Sequence, residues 1–125
     1  MSKLTKVISI DPTRQVVEEI ELDVNNLRAL YEHIGCRTID VVCRQPNGDA
    51  LTVDDEALLV EPQPPAFEFE GFSGSIHGIA IVSGCNRNGR STAPKMTVEE
   101  VREKVKFIGD VYTEPFLMVV SFDWP

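Results

Sequence analysis

The sequence has few cysteines and no close pair of them. Cys36, Cys43 and Cys85 are odd in number and show no Cys-x-x-Cys spacing, which argues against a disulfide framework and for reduced thiols. Long apolar runs are also missing. None approaches the ~20 residues of a membrane-spanning helix, and Met1–Lys6 lacks a signal peptide's apolar core. The expectation is a cytoplasmic protein with no membrane partner. Basic charge is scarce: 12 Lys and Arg stand against 20 Asp and Glu, a net charge of −8. Direct nucleic-acid binding needs a phosphate-neutralising face and is therefore not expected. No Walker loop, GxGxxG or HExxH is present, so the best-marked nucleotide and metal enzymes are excluded.

What is present fits one globular domain over residues 1–125, long enough to bury a core without staples. The central stretch Cys36–Val60 carries the plainest strand signals. Thr38–Cys43 is β-branched, Gly48–Val53 alternates polar with apolar residues, and Pro46-Asn47-Gly48-Asp49 lies between them. Asn-Gly predicts a type I′ hairpin turn, and Leu58–Val60 reads as a third strand. Before this meander, Lys6–Ile10 and Gln15–Leu22 predict a hairpin around Asp11-Pro12-Thr13-Arg14, with Val16, Glu18, Ile20 and Leu22 on its inner face.

Two helices are predicted. Asp23 suits the N-cap of a helix over Val24–Ile34, where Val24, Leu27, Leu30, Tyr31 and Ile34 form a stripe and Gly35 a stop. Thr97 and Glu100 have capping-box spacing, with Met96 and Val101 as a hydrophobic staple, so a second helix is predicted over Val98–Ile108. The prolines of residues 61–65 make a stiff crossover. Ile76–Val82 reads as a buried strand, and Pro115–Phe122 as a strand central in the sheet. The fold expected is α+β: a single small domain with a mostly antiparallel or mixed sheet and both helices packed on one face. Val24, Leu27, Tyr31, Ile34, Val101, Val105 and Ile108 are expected to bury against Val41, Ile79, Ile81, Leu117 and Val119.

Between Gln45 and Ser83 there are seven acids and no Lys or Arg, whereas Gly84–Thr97 holds Arg87, Arg90 and Lys95 and no acid. The loop Gly84–Lys95 is therefore the strongest site candidate. Its Gly and Asn residues permit the alternating φ values that converge backbone N–H groups, and its guanidinium forks suit phosphate or carboxylate. The predicted ligand-binding residues are Asn86, Arg87, Asn88, Arg90 and Ser91, with the dipole of the following helix adding positive potential. His33-x-x-Cys36 has no second close pair beside it, so no metal, no other cofactor and no catalytic residue is assigned.

The motifs KVISIDP at Lys6–Pro12, LYEHIG at Leu30–Gly35, VDDEALL at Val53–Leu59 and HGIAIVSG at His77–Gly84 recur together, followed by the Thr97-Val98-Glu99-Glu100 helix start. From about Lys6 to Ile108 the chain resembles an uncharacterised family of small phage- and plasmid-encoded proteins carrying a domain of unknown function. The resemblance implies a mobile-element setting and an intracellular location, and it supplies no reaction and no site residues. The chain departs from that pattern in its basic Gly84–Lys95 loop. The sequence thus reads as a non-enzymatic accessory protein that binds a small phosphate-bearing ligand or a host protein and has room for a homodimer through an open sheet edge. Two alternatives stand beside it. One is an acidic DNA mimic built on Glu18, Glu19, Glu21, Asp23 and the acids from Asp49 to Glu70; the other is a small hydrolase with an unrecognised site.

Overall fold

Alternating β-branched residues build the first hairpin as its pattern predicts. In the structure, a computed structural model that describes residues 4–88 and 90–113, β1 (Thr5–Asp11) and β2 (Val16–Leu22) pair antiparallel along their full length. Asp11 closes the turn between them, its carboxylate accepting from the N–H groups of Thr13 (3.0 Å) and Arg14 (3.3 Å). The helix that follows starts later than expected. Asn26 N donates to Asp23 O in a turn, and Asn26 rather than Asp23 caps α1 (Leu27–Ile34), its side chain accepting from Arg28 and Ala29. Consecutive asparagines favour turn and cap geometry over helix, which explains the shift. Gly35, at φ +81°, ends the helix as predicted, its N–H bonded to Tyr31 O.

β3 (Ile39–Val42) and β4 (Ala50–Asp54) form the central hairpin. Its turn is not type I′. Gly48 N donates to Gln45 O and Gln45 N to Asp49 O, and Asn47 does not take positive φ. Pro46 presets the first corner of a type I turn, which Gly48 at φ +96° completes as a bulge. Leu58–Val60, expected as a strand, is replaced by a short 3-10 helix over Ala57–Leu59. Asp54 accepts from Glu56 N (2.8 Å) and turns the chain just before it.

The crossover over residues 61–65 leads into β5 (Ala66–Phe69), β6 (Ser75–His77), β7 (Ala80–Cys85) and the two-residue β8 (Ser91–Thr92). The second helix, α2 (Val98–Lys104), ends four residues earlier than predicted and passes directly into β9 (Val105–Gly109). Val105 and Ile108, assigned to a helical stripe, thus lie in a strand. Val105, Phe107 and Ile108 are β-branched or aromatic, and pairing with β5 overrides the helical reading.

The strands form two antiparallel sheets. The larger runs β2-β1-β7-β4-β3, with β8 on the end of β7; the smaller runs β6-β5-β9. The α+β class and the antiparallel sheets are as expected, but the helices do not share a face. Register puts Val7, Ile20 and Ile81 on one side of the large sheet, where they pack with Val24, Leu30 and Ile34 around α1. Ile8, Ile10, Val17, Leu51 and Val82 point to the other side, where they meet Phe67, Phe69 and Ile76 of the small sheet and Met96 and Val101 of α2. Val17, read as outward-facing, is therefore buried at 3% exposure. Leu27 and Val41 were expected in the core, and both are exposed, the first in the opening turn of α1 and the second on edge strand β3. Leu117, Val119 and the strand expected at Pro115–Phe122 lie outside the described residues.

Candidate functional site

The basic loop is the connection of the β7–β8 hairpin. Gly84 pairs with Thr92 and Cys85 with Ser91. Asn86 N donates to Arg90 O (3.0 Å), while the Asn86 side-chain oxygen accepts from Asn88 N (2.9 Å) and Arg90 N (3.1 Å). The N–H groups converge, as the Asn-rich composition predicts, but they converge on the carboxamide oxygen of Asn86 itself. Ser91 is held from outside. Its N–H donates to Asn25 Oδ1 (3.0 Å), and Asn25 Nδ2 donates to its carbonyl (3.1 Å), so one side chain just before α1 imitates a strand partner. The backbone of the loop is occupied in bracing, and its free chemistry lies in its side chains.

Those side chains are basic and exposed. Arg87 and Arg90 make no ion pair among the described residues, whereas Arg14 bonds Asp11 and Glu18, and Arg37 bonds Glu56. The expected help from the next helix is missing. The capping box of Thr97 and Glu100 closes the first turn of α2, and Glu99 and Glu100 put negative charge there. α2 therefore contributes no positive end to the loop.

Between the base of this hairpin and the β3–β4 hairpin lies a pocket of about 150 Å³, lined by Val41, Arg44, Thr52, Ser83, Cys85 and Ser91. Val41 pairs with Thr52 and Ala50 with Ser83, which places these residues on the α1 side of the large sheet. No α1 residue lines the pocket. Of the predicted binding residues only Ser91 reaches it. Asn86, Arg87, Asn88 and Arg90 stand beyond it at the tip. Arg44, like the tip arginines, has no ion-pair or hydrogen-bond partner for its guanidinium among the described residues. Arg44, Thr52 and Ser83 were missed in the sequence. Thr52 lay within the alternating Gly48–Val53 run, and Ser83 one residue beyond the predicted Ile76–Val82 strand.

The histidines occupy closed positions. His77 is 2% exposed; its Nδ1 donates to Pro64 O (2.7 Å), and its Nε2 lies 2.8 Å from the Thr113 hydroxyl. His33 Nε2 lies 3.0 Å from the hydroxyl of Ser9, which is itself 1% exposed, so no substrate reaches the pair through Ser9. Burial pushes the His33 imidazole below its ordinary pKa, against the pull of Asp11 and Glu18 and with that of Arg14. Burial also raises the Cys36 and Cys43 thiols, keeping both protonated. The three thiols are free, and no group of three metal-ligating side chains occurs among the described residues.

The acids expected to form a phosphate-like row do not all share one face. Glu18 and Glu19 alternate to opposite sides of β2, and Glu18 is paired with Arg14. Asp49 is fully buried, with its carboxylate accepting from the backbone N–H groups of Lys95 (2.9 and 3.0 Å) and Met96 (2.9 Å). It anchors the far end of the basic loop to the β3–β4 turn, a role that a turn aspartate beside Asn-Gly conceals in sequence.

Among the described residues, no helix is long and apolar enough to cross a membrane. A family model described as a domain of unknown function, DUF3846, matches residues 5–106. No curated protein and no solved structure matches the chain.

Proposed function

The chain belongs to the DUF3846 family, and from that premise we propose that it is a non-enzymatic binding protein that recognises an anionic group with the β7–β8 hairpin. The observation that carries this reading is the pair of exposed guanidinia, Arg87 and Arg90, without carboxylate partners among the described residues, in a chain of net charge −8. An acidic protein has ample carboxylates to neutralise its own arginines, and here the hairpin keeps two of them apart. Bracing by Asn86 and Asn25 supports the reading, since a fixed backbone lowers the ordering cost of presenting two long side chains.

The ligand class follows from the fork geometry of arginine: a small phosphate-bearing molecule or a carboxylate-rich protein surface. Each charge-assisted hydrogen bond contributes about 1.5–3 kcal/mol where the site is desolvated and less at an exposed tip. The reading includes the setting that the family resemblance implies, an accessory protein of a phage or other mobile element acting in the host cytoplasm.

A thermal-shift panel of nucleotides and acidic peptides on wild type and on Arg87→Ala/Arg90→Ala tests it. Stabilisation of wild type should disappear in the double variant. An equal shift in both proteins, or none with any anion, would sink the reading, and turnover of any nucleotide would refute its non-enzymatic part.

A further inference from the structure

We propose that the pocket between the two hairpins is a site for a single phosphoryl group or similar oxyanion, held by the Thr52 and Ser83 hydroxyls with Arg44 supplying charge. This rests on the preceding reading for the sign of the ligand, while its residues are different ones. Thr52 is 7% and Ser83 9% exposed, and neither hydroxyl has a hydrogen-bond partner among the described residues. Buried polar groups ordinarily find partners, because leaving one unmade costs about 1–3 kcal/mol. Nor are these two oxygens sealed in the core: Thr38 Oγ1 is the sealed and unpartnered case among the described residues, and Thr52 and Ser83 instead open into the pocket. Two hydroxyl-bearing side chains on adjacent strands line one small space, and neither has an acceptor among the described residues.

Charge and size narrow the acceptor. Arg44 lines the same space, and among the described residues no acid bonds it and no carboxylate lines the pocket. A cation would meet a guanidinium and two donors, so an anion fits. The volume of about 150 Å³ holds roughly five waters at about 30 Å³ each. That admits one tetrahedral oxyanion and falls short of the roughly 300 Å³ at which pockets enclose whole small molecules. The remainder of a phosphorylated ligand would lie outside, across exposed Val41 or toward the hairpin tip.

Cys85 lines the pocket and is exposed, so its thiol reports on occupancy. The experiment measures maleimide labelling of Cys85 against inorganic phosphate at constant ionic strength, with chloride as the control anion. Phosphate should slow labelling in wild type and equally in Arg87→Ala/Arg90→Ala. In Arg44→Gln and in Thr52→Val/Ser83→Ala the phosphate concentration giving half protection should rise about tenfold or more. Protection that is absent in wild type, or unchanged by both pocket variants, overturns the proposal. Loss of protection in the tip variant alone also overturns it and leaves the tip as the anion site. Protection that survives the tip variant while the thermal shift shows no role for Arg87 and Arg90 retains the pocket and removes the tip. Circular dichroism checks folding; should Thr52→Val/Ser83→Ala not fold, the exposed Arg44→Gln decides alone.

Discussion

Asp49 shows how a residue's neighbours in sequence can hide its neighbours in space. Beside Asn47 and Gly48 it reads as turn chemistry, and Asn47 Oδ1 does accept from its N–H at 2.9 Å. Its carboxylate, however, faces inward and accepts from Lys95 N and Met96 N, which no local pattern announces. The close fit extends to Gly84, where an added Cβ would meet Ala93 O at 2.7 Å and Thr92 Oγ1 at 2.9 Å. Removing the carboxylate leaves the part-buried Lys95 N–H and the buried Met96 N–H without an acceptor. We expect Asp49→Ala to destabilise the fold by about 2–4 kcal/mol, and Asp49→Asn by less, since one amide oxygen still accepts. Urea denaturation of the three proteins checks this, and an Ala variant as stable as wild type would show that the anchor is dispensable. The five candidate residues stood out at this scale because Arg, Asn and Ser in a loop with Gly are recognisable chemistry, and of them only Ser91 lines the pocket. Thr52 and Ser83 were not, because a hydroxyl on a strand looks the same whether it faces water or a pocket.

At the level of elements, legibility followed local physics. The β1–β2 hairpin, the glycine stop of α1 and the capping box of α2 each depend on residues within a few positions of one another, and each is present. Thr97 Oγ1 accepts from Glu100 N (3.1 Å), and Glu100 Oε1 accepts from Thr97 N (2.9 Å). Where an element ends by competition with a distant strand, the sequence misleads. Val98, Val101, Val105 and Ile108 keep helical spacing, yet β5 captures the last two for β9 because Phe67, Glu68 and Phe69 offer partners to Phe107, Lys106 and Val105. With only seven residues, α2 has little propagation energy to offset a poor start. Thr97→Ala should cost about 1 kcal/mol, read as a lowered thermal midpoint, while Thr97→Ser should restore most of it. Equal midpoints for all three would mean that packing of Met96 and Val101 alone sets the helix.

Across the whole molecule the strand order was the hidden part. β7 lies between β1 and β4 although more than half of the chain separates it from β1, and nothing in a strand's own residues names its neighbours. The same ignorance misplaced the helices: each was found, with part of its stripe, but not that the large sheet buries both of its faces. One consequence is pH dependence. His33 sits against Ser9 on the α1 side, with Asp11, Glu18 and Arg14 around it, and burial lowers its pKa from an unfolded value near 6.5. A depressed imidazole means that the unfolded chain binds the proton more readily. Its contribution is therefore complete above pH 6.5 and is lost as pH falls through the lower folded value. Urea midpoints should drop between about pH 7.5 and about pH 5.5, and His33→Gln should flatten that drop; an unchanged slope would assign it to other groups.

The two fastenings of the basic loop, Asn25 on Ser91 and Asp49 on Lys95 and Met96, lie outside the tip that they secure. Everything from Asn86 to Arg90 can therefore change in length or composition without disturbing either knot. The fold holds a fixed socket with a replaceable bit, so that the tip can vary while the frame that presents it stays the same.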